Sequence, residues 1–538
     1  MMANLKSSVG ALLRSTKTDL LIFGSARSIL PLRSIAATTM LLSIVPWAAI
    51  LAACNALAAS TPTERACDEI KAALQDRVWG QFEKDYTSEI NSYWSTSLRD
   101  VKPACVVLPQ SAEEVSSAVK VLNKYPSVEF AVKSGGHSPN KRQSSIQDGV
   151  LISTRDMSGV TYDEDTGIAH VKPGGEWNDV IGPLDEQGVT VVGGRLGLVG
   201  VGGYLLQGGI SFLSAKYGLA ADSIVGWEMV TADGTIRTID ADEEPELAVA
   251  LRGGGNQFGI ATRYDIKAYP IGQVWGGFRM YDGGKADEIY AALHNFVPGN
   301  AGDEKAAIIL TDIIALGSAR LFLIFYYYEG EEPPTTGPYA QFLNIDSILD
   351  TTKTQSYSEL LKSNGEGAAL LQSRVSFRTF TLPYVEDAPH MYDEISNKFT
   401  DLVEEHLKNP LRLTAQCSID VQPFPAIIGK HSEDRGGNAM GISGDDIDRI
   451  LLEIQCSWSS DKDDEIFHDV SRELVEWLET KVPEWTKGEE YYLPLLMNDA
   501  AGDQNVTGGY RDYGKFKAMQ AEMDPEGFFR ERGGGFVY

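Results

Sequence analysis

Apolar positions recur along this chain with two different periods, and the dominant period changes with position. Residues 104–108, bracketed by Pro103 and Pro109, read as a short strand. Val115, Ala118, Val119 and Leu122 then recur at helical spacing behind Ser111-Ala112-Glu113-Glu114. There Ser111 can accept from the third helical N–H while Glu114 reaches back, a capping box. A strand over 128–132 completes a β-α-β opening. Further on, 150–152, 168–171 and 189–192 read as strands, and 176–187 as a helix stopped by Gly188. Residues 227–232 and 235–239 predict a hairpin, because Asp233-Gly234 suits the positive φ angles of a type I′ turn. A helix over 245–251 and a strand through 268 follow.

From about 274 to 486 glycines thin out and the apolar or alternating runs lengthen, at 306–316, 320–328, 411–421 and 449–457. Helical stretches at 285–296, 387–408 and 464–482 alternate with them. Together they predict an antiparallel sheet with helices on one face. The polar, aromatic stretch 66–99 is expected to pack across the outside of the first domain, and 491–538 to fold back onto the body. The predicted organisation is a leader (1–58), an N-terminal segment (59–100), a first domain (101–273), a substrate domain (274–486) and a returning C-terminal segment (487–538).

Composition narrows the function classes. With 538 residues, 43% hydrophobic and 23% charged, the chain can build two or three cored domains. Its net charge of -28 repels phosphate backbones, so nucleic-acid binding is not expected. Residues 1–34 carry Lys6, Arg14, Lys17, Arg27 and Arg33 against Asp19, and an apolar run over 35–53 leads to Ala56-Leu57-Ala58. Basic flank, apolar core and small-residue site read as a secretory signal, with a mature start at Ala59. A signal anchor and a mitochondrial presequence remain as alternatives, and a membrane enters only if an anchor stays uncleaved. Removing Cys54 with the leader leaves Cys67, Cys105, Cys417 and Cys456. Cys67–Cys105 can tether the N-terminal segment, whereas Cys417 and Cys456 can be paired or buried thiols. No metal-ligand spacing occurs, and Asn505-Val506-Thr507 is a glycosylation acceptor in a secreted chain.

Three glycine-rich turns, at 134–137, 193–209 and 253–259, fall within the first domain. Backbone N–H groups of such turns can wrap a large polyanionic ligand, since no Cβ stands in the way. None opens a helix in the G-x-G-x-x-G manner of a Rossmann unit, and no P-loop string occurs. The residues therefore point to a dinucleotide-like cofactor in a non-Rossmann domain, without saying which.

The strings Lys133-Ser-Gly-Gly-His137-Ser138, Gly193 through Gly203, Arg252-Gly-Gly-Gly-Asn256-Gln-Phe-Gly-Ile260 and Asp524-Pro525-Glu526-Gly527-Phe528-Phe529 decide more. As a set they resemble the berberine-bridge-enzyme-like branch of the vanillyl-alcohol-oxidase superfamily, especially its fungal FAD-linked oxidoreductases. The resemblance implies an α+β fold: a two-part FAD-binding domain followed by a substrate domain whose antiparallel sheet is covered by helices. It implies FAD bonded through His137 to the flavin 8α-methyl group, with Ser134, Gly135 and Gly136 forming the loop on the pyrophosphate and Ser138 as a further cofactor contact. Gly194, Val199, Gly200, Gly203, Gly259, Ile260 and Asn498 fall at other cofactor contacts.

The departures also matter. Leu196 stands where bicovalent relatives carry a cysteine, so His137 is the only covalent anchor expected. Tyr204 replaces a frequent histidine, and Asp499 stands where many relatives place a tyrosine base; it can serve as base or cap a turn. Val199 occupies the oxygen-gate position and points to O₂ as electron acceptor. The implied activity is oxidation of a small organic molecule in secondary metabolism. Alternatives are a carbohydrate or alcohol oxidase and a flavin-binding protein without catalysis. The remaining conspicuous residues read first as packing: Tyr326-Tyr327-Tyr328 as core and rim with at least one ring expected in the substrate cavity, His170 as satisfied core, and Arg378, Tyr384, His390 and Tyr392 as surface or packing groups.

Overall fold

In the computed structural model, which describes residues 60–300, 302–368 and 373–538, the strands form three main sheets and one short pair. The leader and Cys54 lie outside the described residues. Among those residues no helix is long and apolar enough to cross a membrane.

The first sheet contains β1 (Val78–Gly80), β2 (Cys105–Val107), β3 (Phe130–Lys133) and β4 (Val150–Ser153) in the order β1-β2-β4-β3. β4 runs parallel to both β2 and β3, so the helix Ala112–Leu122 is the crossover of a β-α-β unit. Ser111 accepts from Glu114 N–H as predicted, but the Glu114 carboxylate takes the N–H of Gln110, not that of Ser111. The N-terminal segment does more than pack outside: it adds edge strand β1 and the helix Pro62–Leu74 beside Ala112–Leu122. Thr61 and Glu64 form the complete capping box of that helix, and the Cys67–Cys105 disulfide ties it to β2.

The next strands are β5 (Val160–Asp163), β6 (Ile168–Val171), β7 (Val189–Thr190), β8 (Ile224–Val230), β9 (Ile236–Asp240), β10 (Ile260–Lys267) and β11 (Tyr269–Pro270). Five of them make an antiparallel sheet ordered β5-β6-β10-β8-β9, while β7 pairs with β11. The β8–β9 turn is not type I′. Only Gly234 of the Asp-Gly pair has positive φ, 81°, and Asp233 is held by bonds from Thr235 N–H and the hydroxyls of Thr231 and Thr235. An aspartate that can bond its own turn needs no left-handed backbone. His170 is satisfied but not core: its Nδ1 lies 2.5 Å from Asp265 with the ring part-exposed.

The change of sheet comes after β11. β12 (Val274–Asp282), β13 (Ala306–Ala315), β14 (Ala319–Tyr328), β15 (Leu349–Asp350), β16 (Lys353–Gln355), β17 (Arg374–Pro383), β18 (Gln416–Phe424) and β19 (Arg449–Trp458) form one antiparallel sheet. Its order is β15-β12-β14-β13-β18-β19-β17, with β16 on β12. Helices Ala286–Asn300, Met391–Leu407 and Asp464–Trp485 cover one face, where Leu310, Ile324, Val421 and Ile454 meet Leu293, Phe399 and Leu474. Each such side chain, fully buried, contributes about 1.5–3 kcal/mol of transfer free energy. Cys417 and Cys456 are opposite residues of β18 and β19 and form a disulfide, which resolves the alternative left by their spacing.

Two strands differ from expectation. β18 starts at Gln416 because 410–412 is a 3₁₀ turn capped by Asn409. β17 carries polar residues on both faces, so its pattern does not announce a strand. The C-terminal segment meets several of them: Thr379 N–H bonds Gln504, Thr381 bonds the Pro494 carbonyl and Arg378 pairs with Asp503. The same segment returns further, with Phe528 and Phe529 packed on Phe130. Tyr326 and Tyr327 are fully buried, Tyr326 bonded to Tyr281 and Tyr327 stacked on Phe212, and no ring of that triplet enters the cavity described next.

Candidate active site

A cavity of about 570 Å³ opens between the glycine-rich turns and the uncovered face of the third sheet. That is within the roughly 300–1,000 Å³ typical of ligand sites. Ser134, Gly135, Gly136, His137, Ser138, Gly194, Val199, Gly200, Gly203, Gly259, Ile260, Asn498 and Asp499 all line it. Arg378, Tyr384, His390 and Tyr392 do not. Asn505 is exposed elsewhere, and the Thr507 hydroxyl of its acceptor triplet donates to the Val537 carbonyl.

The first wall is backbone. β3 ends at Lys133, whose buried ammonium is held by Glu89 at 2.5 Å and Ser92 at 3.0 Å. The chain then turns through Gly136 at φ 71°. Gly135 and Gly200 lie back to back: a Cβ on Gly200 would stand 2.5 Å from Gly135 N, and one on Gly135 would stand 2.7 Å from Gly200 Cα. The Ser134 hydroxyl donates to Pro173 O at 2.7 Å and accepts from Gly202 N at 3.1 Å, so it locks the two turns together. Gly193 and Gly194 are small for a different reason, since a Cβ on either would strike the buried indole of Trp177. Asn498 joins the C-terminal segment to this wall, accepting from Gly209 N and donating to Tyr204 O.

His137 projects from the first turn with its imidazole stacked on Trp94, centroids 4.4 Å apart and planes 10° apart, and Phe377 of β17 lies 6.1 Å away. Burial pushes its pKa down to about 4, so the ring is neutral at pH 7.

The second wall is the sheet face, and strand alternation divides it. Phe278, Met280, Ile309, Ile313, Leu323 and Phe325 from β12–β14 make an apolar half. Gln416, Ser418, Asp420 and Gln422 of β18, with Glu453, Gln455 and Ser457 of β19, make a polar half. Asp420 and Glu453 are opposite residues in the β18–β19 register, and Asp499 comes toward them from the C-terminal segment, 3.5 Å from Gln422 Nε2. Burial pushes the Asp420 and Asp499 carboxyls up to about 6, with Arg195 opposing in both cases. Glu453 is raised well above the usual range by burial first, then by Asp499 and Asp420.

Local sequence pattern points to Asp499 but not to Asp420, Glu453, Arg195 or Trp94. A signal for Asp420 existed: Gln-x-Ser-x-Asp-x-Gln alternates with apolar residues through a strand whose other face is wholly buried. Nothing local marks Glu453 or Trp94 as facing the same space.

Several features fit the dinucleotide that the glycine turns suggest. The Gly135–Gly200 crossing excludes any side chain between the turns and presents bare backbone. In the same wall the buried Gln143 Nε2 and Ser144 Oγ lack partners, as do both amide atoms of Asn364, donors and acceptors aimed at a polar ligand.

Comparison with known proteins agrees. Residues 103–240 match the model of an FAD binding domain family. An uncharacterized FAD-linked oxidoreductase of Arthroderma benhamiae is 34% identical over 460 residues, covering 84% of this chain and 90% of that one. An FAD-dependent monooxygenase of Aspergillus calidoustus is 29% identical, covering 91% and 96%. The structure of berberine bridge enzyme from Eschscholzia californica superposes with a TM-score of 0.66 at 18% identity, over 88% of this chain and 99% of that one. The cavity suits a flavin, and the chain belongs to the fungal FAD-linked oxidoreductases, with the fold of berberine bridge enzyme.

Proposed function

We propose that this FAD-dependent oxidoreductase is an oxidase of a small, carbon-rich organic molecule, with His137 as its single covalent anchor to the flavin and a role in secondary metabolism. The observation that carries the reading is the convergence of Asp420, Glu453 and Asp499 on one desolvated wall beside Arg195. Bound FAD supplies the hydride acceptor, and O₂ takes the electrons onward as hydrogen peroxide. The carboxylates supply the other half of the chemistry. A group poised near neutrality takes the O–H or N–H proton that must leave as a C–H bond next to it is oxidised.

The three acids titrate as a set. Glu453, pushed up by burial and by both neighbours, holds the shared proton at neutral pH, which leaves Asp499 and Asp420 to accept one. Asp499 thus serves as base and not as a turn cap, with Gln422 reaching it from β18. Arg195 balances the charge so that the site need not carry three uncompensated anions. The apolar half of the wall would hold the carbon skeleton by excluding water, which favours such a substrate over a sugar. Leu196 in the lining supports a single covalent link, and Val199 supports access for O₂.

The two disulfides support folding in an oxidising compartment, and exposed Asn505 supports glycosylation there. Its fungal relatives support the metabolic setting.

Peroxide release from metabolite pools identifies the substrate, and ¹⁸O₂ then decides the reaction type. An oxidase yields one peroxide per product and no label in the product; label in the product makes the protein a monooxygenase. Acid precipitation of the purified protein leaves flavin in the pellet if His137 is bonded to it, and His137→Ala moves that flavin to the supernatant.

A further inference from the structure

The side chain most intimate with His137 belongs to neither the glycine turns nor the substrate sheet. Trp94 comes from the N-terminal segment, and its indole lies against the imidazole nearly parallel at 4.4 Å. Its backbone N–H donates to Gly136 O at 3.2 Å, one residue before the histidine. The residues after it are clipped to β17: Ser95 Oγ accepts from Val375 N at 3.0 Å, and Thr96 N–H donates to Ser373 O at 2.9 Å. Phe377 of the same strand flanks both rings, 5.2 Å from the indole and 6.1 Å from the imidazole. Tyr93 sits beneath the turn, where a Cβ on Gly136 would touch its ring at 3.0 Å. The backbone around Trp94 is therefore fixed to both the turn and β17, while the imidazole hangs from a Gly-Gly turn.

Among the described residues no hydrogen bond orients either ring nitrogen of His137, and burial is the only cause acting on its protonation. The stack with Trp94, closer and more nearly parallel than that with Phe377, is thus the main contact on the ring plane. It covers one face of a ring that lines the cavity.

We infer that Trp94 is a positioning residue for covalent attachment of FAD to His137, fixing the plane of the imidazole. The inference rests on the histidyl linkage proposed above. In the attachment a ring nitrogen forms a bond to the 8α-carbon, while the imidazole and the methyl group each give up one proton. The electron pair passes to the isoalloxazine, and O₂, the oxidant, removes it with both protons as hydrogen peroxide. A free imidazole would reach the required orientation only part of the time; a stacked one starts there.

The test compares the full-length protein with Trp94→Leu, which keeps apolar bulk without a π face, and Trp94→Phe, which restores the face. Each is purified, acid-precipitated at intervals after addition of FAD and O₂, and scored for flavin in pellet and supernatant. Wild type is expected to carry its flavin in the pellet. Trp94→Leu is expected to bind as much flavin in total but attach it about tenfold more slowly, the order of one lost aromatic stack. Trp94→Phe is expected to return most of the rate. Should the leucine variant fail to fold, Trp94→Met is read in the same way. Flavin absent from the wild-type pellet overturns the histidyl linkage itself. A normal wild type with equal attachment in Trp94→Leu overturns only the role of Trp94. Loss of total flavin from the variant also overturns that role, because the indole is then a wall of the binding site and not a positioning group.

Discussion

Asp420 and Glu453 stand directly opposite one another on β18 and β19, with both side chains on the face turned to the cavity. Cys417 and Cys456 are the opposite pair three residues along the same two strands, on the other face. One register therefore sets both the acid pair and the crosslink, and a one-residue slip would turn both acids into the helix layer.

Ionising Asp420 works against folding. Its pKa rises from 3.8 to about 6 in the folded state, so between those values the native protein binds more protons than the unfolded chain. Stability should fall as pH rises through that window and stay low above it. Asp420→Asn removes the penalty: it should be more stable than wild type by about 3 kcal/mol at pH 8 and equal to it below about pH 3. Denaturant midpoints measured at the two pH values check the sign.

The division of labour among the acids has a kinetic consequence. Asp499→Asn should slow anaerobic flavin reduction by about 10²–10⁴-fold, the usual size of a lost general base. Its rate should also lose the rise with pH near 6 that wild type shows. Glu453→Gln mimics the protonated acid and should stay within about tenfold of wild type. Stopped-flow reduction across pH separates the two; the reverse ranking would make Glu453 the base.

Replacing Cys417 and Cys456 by serine opens a loop of 39 residues' separation and should cost about 2–4 kcal/mol. The denaturant midpoint should fall with an unchanged slope. Flavin content should hold, because the disulfide lies on the helix side of the sheet.

Gly200→Ala should do the opposite. Its new Cβ meets Gly135 backbone, which cannot swing away as a side chain can. The two turns must part at a cost of about 1–3 kcal/mol, and purified protein should carry clearly less flavin per chain. The ratio of flavin to protein absorbance reads this directly.

How much of this was legible follows the range of each interaction. Ser111 announces its helix because a cap acts within one turn, although the local pattern overstated Glu114, whose carboxylate found the N–H of Gln110 instead. Asp233-Gly234 announced a turn but not its type, since the aspartate's side-chain bonds compete with the backbone geometry. β17 is hard to read locally because several of its polar residues are satisfied by Gln504, Asp503 and the Pro494 carbonyl, far away in the chain.

The site divides in the same way. By itself the amino-acid sequence determined a glycine-turn domain for a dinucleotide-like cofactor, the loop around His137 and the antiparallel sheet, because glycine turns and strand alternation are local consequences of missing Cβ atoms and a two-residue period, while FAD itself came from the family resemblance. Only the tertiary structure decided which side chains meet. Trp94 lies on His137, Glu453 faces Asp420, and Cys417 joins Cys456 because sheet register and the return of the N- and C-terminal segments bring distant residues together, and no short-range pattern encodes that distance.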